Sequence, residues 1–236
     1  MYIYRRLKRS LLALAVICVI ASVGYVKKAI FTVSAPTYNK NTVIVDPGHG
    51  GFDGGAGAAD GTLEKDINLE ISLKLRDFLN VYGVNVIMTR DEDTGTEDTE
   101  NANIRSRKRS DLYNRLALME YDNSIFVSIH LNKFTTSAAR GIQVFYTPNF
   151  DAAKVLGQCI QSSVTKYLQP ENKRLIKRGY DSTYLLKNAK APAVIVECGF
   201  LSNSAELKQL KSEEYQRKMA FLISVGILEF YKTSGR

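Results

Sequence analysis

Cysteine is scarce in this chain of 236 residues, which holds only Cys18, Cys159 and Cys198. Cys18 lies in an apolar N-terminal stretch, so only two cysteines remain for the rest of the chain. They form no C-x-x-C pair, and so small a number builds no disulfide framework. The sequence therefore excludes a disulfide-stapled fold and a cysteine-rich metal site.

Several short signatures of common binding sites are also missing. The chain has no G-x-x-x-x-G-K-[ST] and no G-x-G-x-x-G, which excludes the usual glycine-rich phosphate and dinucleotide loops. It has no H-E-x-x-H, so a metal site would have to draw its ligands from separate parts of the chain. The sequence shows no internal repeat and no sign of a second folded domain.

Acidic residues are absent from residues 1–28, although the whole chain has a formal net charge of +8. This segment accounts for +6 of that charge, because it contains the six basic residues Arg5, Arg6, Lys8, Arg9, Lys27 and Lys28. The rest of the chain is therefore only mildly basic, which argues against nucleic acid as a partner. A mild positive balance still suits an anionic polymer such as cell wall.

The same N-terminal segment is typical of an export signal. Four cations precede the apolar run from Leu11 to Val26 and two follow it. The run is close to the minimum of ~17 residues for a membrane span, and its flanks favour an N-terminus inside and a body outside. We expect residues 1–28 to be a signal retained as a membrane anchor, with a cleaved signal peptide as the alternative. Residues 29–41 are then a linker, and residues 42–232 form one domain.

Apolar runs of strand length alternate with helical spacing through that domain. The runs predict strands over residues 42–45, 84–88, 124–129, 141–147, 184–186 and 193–196. Apolar spacing predicts helices from near residue 64 to Gly83, and over residues 104–121, 151–168, 204–211 and 213–232. This alternation indicates an α/β fold with a largely parallel sheet.

Residues 46–56, Asp-Pro-Gly-His-Gly-Gly-Phe-Asp-Gly-Gly-Ala, follow the first strand. Proline ends a strand and glycine permits positive φ, so His49 is predicted to lie on a sharp turn. This turn follows the carboxyl end of the strand, which is where ligands bind in open α/β sheets. His130, the only other histidine, and Glu197 each follow another apolar run. If these strands are parallel neighbours, the three side chains converge, and Glu64 joins them from the next helix.

Two imidazoles and a carboxylate form a His2Glu set, a known catalytic zinc arrangement that leaves a fourth position for water. Zinc polarises a carbonyl and acidifies water, while amide hydrolysis also requires a base. The spacing leaves open which of Glu64 and Glu197 binds metal and which is the base. Asp46 and Asp53 are candidates either to orient the histidines or to cap the turn.

Two further features have alternative interpretations. Cys198 with a histidine would make a cysteine hydrolase, but nothing marks Cys198 as an activated thiolate, and strand alternation turns it away from Glu197. We therefore predict that Cys198 packs in the core. The run from Arg105 to Arg109 is predicted to be a solvated helix face, with contact to an anionic substrate as the alternative.

The chain from about Thr42 to Tyr231 resembles the zinc-dependent N-acetylmuramoyl-L-alanine amidases of the amidase-3 family. The matching motifs are Ile44-Val45-Asp46-Pro47-Gly48-His49-Gly50-Gly51, Leu63-Glu64-Lys65-Asp66, Met88-Thr89-Arg90, Ser128-Ile129-His130-Leu131-Asn132, Arg178-Gly179 and Glu197-Cys198-Gly199-Phe200-Leu201-Ser202-Asn203. Together these motifs are highly specific to the family.

This resemblance implies roles that spacing leaves open. His49, Glu64 and His130 match the zinc ligands of the family, and Glu197 matches its catalytic glutamate. The implied substrate is peptidoglycan, and the bond cut is the amide between N-acetylmuramic acid and L-alanine of the stem peptide. The implied fold is a mixed, mostly parallel six-stranded sheet flanked by helices on both faces.

Within the family, the short anchor, the lone catalytic domain and the basic helix resemble the germination-specific, CwlD-type amidases of spore formers. That resemblance implies an exported enzyme of the spore cortex, which acts before a separate deacetylase in muramic-δ-lactam formation. An accessory activator protein is a further partner that the family suggests. The alternatives are a vegetative cell-wall autolysin, a zinc peptidase and an inactive peptidoglycan-binding scaffold.

Overall fold

The computed structural model describes residues 41–98, 103–179 and 183–235. The predicted anchor at residues 1–28 and nearly all of the predicted linker lie outside these ranges. Within them, no helix combines the length and the apolar character that crossing a membrane requires.

Six strands and six helices follow one another along the described residues. The strands are β1 (Thr42–Pro47), β2 (Asn85–Met88), β3 (Ser124–Asn132), β4 (Gln143–Tyr146), β5 (Lys177–Arg178) and β6 (Ala193–Phe200). The helices are α1 (Glu64–Val81), α2 (Ile104–Leu118), α3 (Asp151–Tyr167), α4 (Tyr184–Lys187), α5 (Ser204–Leu210) and α6 (Glu213–Ser234).

The strands form one mixed sheet in the order β2-β1-β3-β6-β4-β5. The first four strands in this order are parallel, β4 is antiparallel to β6, and β5 is parallel to β4. The carboxyl ends of β1, β3 and β6 therefore meet at one edge of the sheet. The prediction of a single α/β domain with a mostly parallel six-stranded sheet is confirmed.

Alternation along β1 divides the core into two layers. Val43 and Val45 pack with the apolar sides of α1, α3 and α6. Ile44 points to the opposite face of the sheet, where Leu116 of α2 and Leu186 of α4 pack. Successive side chains of a strand point to opposite faces, so a continuously apolar strand requires helices on both faces of the sheet.

The predicted strand at residues 184–186 is wrong. Tyr184–Lys187 is a single helical turn whose two leucines pack in the second core layer. A run of three apolar residues does not distinguish a buried strand from a buried helical turn. The strand that completes the sheet is instead β5, Lys177–Arg178, an exposed and charged pair at the sheet edge that has no apolar signal.

Candidate active site

The turn after β1 holds His49 at the sheet edge in a constrained backbone conformation. Its φ is 63°, in the left-handed region that costs energy for any residue other than glycine. The preceding residue, Gly48, packs against the ring of His130, and a Cβ at Gly48 would lie 2.3 Å from ring atoms. Glycine therefore permits the two imidazoles to approach edge to face, with ring centroids 5.0 Å apart.

Glu64, the first residue of α1, lies between the two imidazoles. Its Oε1 is 3.3 Å from Nε2 of His49 and 2.9 Å from Nδ1 of His130. One ligand atom from each of the three residues lies within 4.8 Å of the others. Two imidazole nitrogens and one carboxylate oxygen are the donors of a three-ligand zinc site, so the donor set present here fits that metal.

Main-chain donors fix the carboxylate of Glu64 from both sides. Ala56 N–H donates to Oε2 at 2.8 Å, and Leu131 N–H donates to Oε1 at 3.1 Å. Burial raises the pKa of Glu64, but hydrogen bonds and the charges of both histidines outweigh burial and hold that pKa well below its usual range. The carboxylate is therefore ionised, and it attracts positive charge to this point.

His49 is oriented by a carboxylate on its far side. Asp53 Oδ2 lies 2.9 Å from Nδ1 of His49, so Nδ1 donates and Nε2 faces Glu64. Burial lowers the pKa of His49, but the bonds with Asp53 and Glu64 outweigh burial and raise it to about 9. Asp53 Oδ1 in turn accepts from Nζ of Lys108 at 3.0 Å. Asp53 thus takes the orienting position that the sequence offered as one alternative.

Asp46 has a different environment, and its hydrogen bonds go to groups other than the two histidines. It is fully buried, pairs with Arg115, and accepts hydrogen bonds from Thr89 Oγ1 at 2.7 Å and Ser128 Oγ at 2.6 Å. Burial raises the pKa of Asp46, but Arg115 and the two hydroxyl groups outweigh burial and lower it overall. Asp46 therefore supports the base of the turn rather than an imidazole.

Two buried arginines hold the main chain of the turn. Arg115 donates to the carbonyl oxygens of Pro47 at 3.0 Å and His49 at 2.8 Å. Arg90 donates to the same Pro47 oxygen at 3.0 Å and to Gly48 O at 3.2 Å. Of the two, Arg90 enters the sequence analysis only as part of the motif Met88-Thr89-Arg90, and Arg115 does not enter it.

Glu197 lies on β6 beside the three-residue cluster. It is the register partner of His130 in the parallel β3–β6 ladder. Its Oε2 is buried and has no hydrogen-bond partner among the described residues. Burial raises the pKa of Glu197 to about 7, and the nearby charge of Glu64 adds to the rise. A carboxyl group with this pKa can take up and release a proton near neutral pH.

Cys198, next to Glu197, points to the other face of the sheet. It is fully buried in the core layer that contains α1, α3 and α6. Burial raises the pKa of its thiol well above the usual value. A protonated thiol in the core is no nucleophile, in agreement with the expected packing role.

A cavity of about 220 Å³ opens beside His49 and His130. Phe52, Leu112 and Leu185 supply its apolar walls, and Lys108 lies at its polar side. The run from Arg105 to Arg109 is therefore only partly a solvated face, because Lys108 reaches the cavity while Arg107 pairs with Glu97 at 2.5 Å.

The sequence profile described as N-acetylmuramoyl-L-alanine amidase matches residues 43–229. The chain belongs to the N-acetylmuramoyl-L-alanine amidase family. Members of this family are peptidoglycan hydrolases, and this amidase hydrolyses the bond between N-acetylmuramic acid and L-alanine.

Individual relatives indicate which members of the family the amidase is similar to. The germination-specific N-acetylmuramoyl-L-alanine amidase of Bacillus subtilis is 35% identical over 194 residues, which are 82% of this chain and 81% of that protein. The CwlD amidase of Clostridioides difficile, solved in complex with the GerS lipoprotein, is 42% identical with a TM-score of 0.78, and the match covers 82% and 99% of the two chains. AmiC2 of Nostoc punctiforme is 29% identical with a TM-score of 0.67, and the match covers 82% and 98%. The amidase is thus similar to the germination-specific, CwlD-type members.

Proposed function

We propose that the amidase is a zinc enzyme in which His49, Glu64 and His130 hold the metal and Glu197 is the catalytic base. The observation that carries this proposal is the approach of three ligand atoms to within 4.8 Å of one another. Zinc bound by such a set supplies Lewis acidity, which polarises a carbonyl and makes water more acidic.

Side chains of the protein provide the proton transfer, the orientation of a ligand and the binding of substrate. Glu197 takes a proton from the attacking water and returns it to the leaving nitrogen of L-alanine, a role that suits a buried carboxylate placed beside the cluster. Asp53 keeps Nε2 of His49 directed at the cluster. The apolar walls of the cavity accept the lactyl and alanyl methyl groups that flank the scissile amide.

The finer biological setting is part of the same proposal. Residues 1–28 export the protein and anchor it to the membrane, residues 29–41 link the anchor to the body, and residues 42–232 form the zinc amidase catalytic domain. Similarity to the germination-specific amidase supports action outside the cytoplasm, on spore cortex. There the product passes to a separate deacetylase that completes muramic-δ-lactam. The relative solved with a lipoprotein supports an accessory partner for this chain as well.

Metal content together with product analysis tests the proposal. The full-length purified protein is expected to contain about one zinc per chain and to release peptides that begin with L-alanine from peptidoglycan. Chelation should abolish the release and added zinc should restore it. Intact lactyl–alanine bonds, beside an active control amidase, would contradict it.

Three outcomes identify the alternatives. Cleavage within the stem peptide, rather than at its first amide, would indicate a zinc peptidase. Binding to peptidoglycan without cleavage would indicate an inactive scaffold. Spores of a deletion strain that keep normal muramic-δ-lactam would indicate a vegetative autolysin of the same chemistry.

A further inference from the structure

The cavity beside the histidines contains one exposed cation among its described lining residues. Lys108 keeps 52% of its side chain exposed, whereas Arg115, which also lines the cavity, is 2% exposed. Lys108 lies in the second turn of α2, and its neighbour Arg109 turns away to Tyr113 instead. One lysine of the basic run is thus directed into the active-site cavity.

Within residues 41–98, 103–179 and 183–235, Lys108 Nζ has one hydrogen-bond partner. An ammonium group carries three N–H donors, and one of them bonds Asp53 Oδ1 at 3.0 Å. The carboxylates that line the cavity are Asp46, Asp53 and Asp111, and each already accepts from a group of the protein. Lys108 can therefore donate to an anionic ligand while it keeps its hydrogen bond to Asp53.

The position of Lys108 relative to the metal ligands defines which part of a substrate it can reach. It is connected to His49 through Asp53 by hydrogen bonds of 3.0 and 2.9 Å. An extended peptide advances ~3.3–3.6 Å per residue, so the second residue beyond the scissile amide lies ~7 Å from that bond. In a peptidoglycan stem this second residue is an acidic one, which carries a carboxyl group next to the main chain.

We propose that Lys108 is a specificity-determining residue that binds the α-carboxylate of the second stem residue. The inference rests on the proposed function, because it names a substrate contact of the same site. Lys108 is then the member of the basic run Arg105 to Arg109 that binds substrate, and Arg109 does not take part in substrate binding. The amidase is then selective for stems whose second residue is a free acid over stems in which that carboxyl group is amidated.

Two synthetic disaccharide peptides test the inference with the full-length protein. They differ only in whether the α-carboxyl group of the second stem residue is free or amidated. The wild-type kcat/KM is expected to be about tenfold higher for the free acid, since a charge-assisted hydrogen bond contributes that much. Lys108→Met should remove the preference by raising KM for the free acid alone. Lys108→Arg should keep the preference, and the matched control Arg109→Met should leave both substrates unchanged.

Each other outcome has a separate meaning. Equal losses on both substrates in Lys108→Met would show that Lys108 acts only through Asp53, and would overturn the inference. Wild-type cleavage of both substrates at the same rate would also overturn it, while leaving the proposed function intact. Cleavage of neither substrate by the wild type would remove the proposed function and this inference together.

Discussion

Glu197 lies directly opposite His130 across the β3–β6 ladder. Partners on neighbouring strands are separated by about 4.8 Å and direct their side chains to the same face. Glu197 is therefore close enough to act on a group bound at the cluster, yet it is outside the three residues whose ligand atoms converge. The proposed base, Glu197 on β6, is thus carried by a different element from Glu64 on α1, the carboxylate that we propose as a metal ligand.

Replacing Glu197 tests this division of roles. Glu197→Gln should keep the zinc content of the wild type and lower kcat by about 10²–10⁴-fold, because it removes the proton carrier without removing a ligand. Metal analysis and release of L-alanine-ended peptides provide the two measurements. The exposed Glu229→Gln is the matched control and should change neither. Loss of zinc in Glu197→Gln would mean that Glu64 and Glu197 have exchanged roles.

Removing the carboxylate behind His49 should weaken metal binding. In Asp53→Ala, Nδ1 of His49 loses its partner, so the imidazole is free to rotate and to change tautomer. The zinc dissociation constant should rise by about 10–100-fold, measured by competition with a chelating dye. Asp122→Ala, which removes an exposed carboxylate, should leave the constant unchanged. An unaltered constant in Asp53→Ala would assign Asp53 to shaping the turn.

A methyl group at Gly48 should disrupt the site more than the fold. The added Cβ would lie 2.3 Å from ring atoms of His130, so the ring must move away from Glu64. We expect Gly48→Ala to lose zinc binding and about 1–3 kcal/mol of unfolding free energy. Urea unfolding and metal analysis measure the two effects.

Gly57 provides the comparison for that substitution. A Cβ at Gly57 would meet only a leucine methyl group, at 3.9 Å. Gly57→Ala should therefore keep both zinc and stability. Normal zinc binding in Gly48→Ala would show that the His130 ring moves without leaving its ligand position.

Acid stability should depend on the buried pair of Asp46 and Arg115. The pKa of Asp46 is lowered in the folded protein, so its stabilisation is present above the unfolded pKa of about 3.9 and is lost as pH falls through the folded pKa. Asp46→Asn leaves Arg115 buried without its partner and should cost about 3–5 kcal/mol at neutral pH. It should also reduce the acid slope of unfolding free energy by up to about 1.4 kcal/mol per pH unit.

Urea unfolding at a series of pH values measures both effects on Asp46→Asn. The exposed Asp77→Asn serves as the control and should match the wild type throughout. An acid slope in Asp46→Asn equal to that of the wild type would show that Asp46 does not titrate with unfolding.

The sequence was sufficient to predict those features that depend on local pattern and strand direction. His49 and His130 could be placed at one sheet edge because parallel strands share their carboxyl ends. The role of Arg90 and Arg115 could not be predicted, because both donate to the main-chain oxygen of Pro47, which is 43 residues from Arg90 and 68 residues from Arg115 in the sequence. The direction of Lys108 was also unpredictable, because it follows from the rotation of α2 against the sheet.

The order of the strands in the sheet has a consequence for synthesis of the chain. β6 is the last strand to be made, yet it lies between β3 and β4 in the finished sheet. A chain still growing before residue 193 holds both histidines and Glu64 but not the strand that carries the proposed base. Such a chain also leaves the edge of β3 unpaired. Hydrolysis is therefore among the last properties that the growing polypeptide acquires, and an unfinished molecule carries no complete catalytic apparatus.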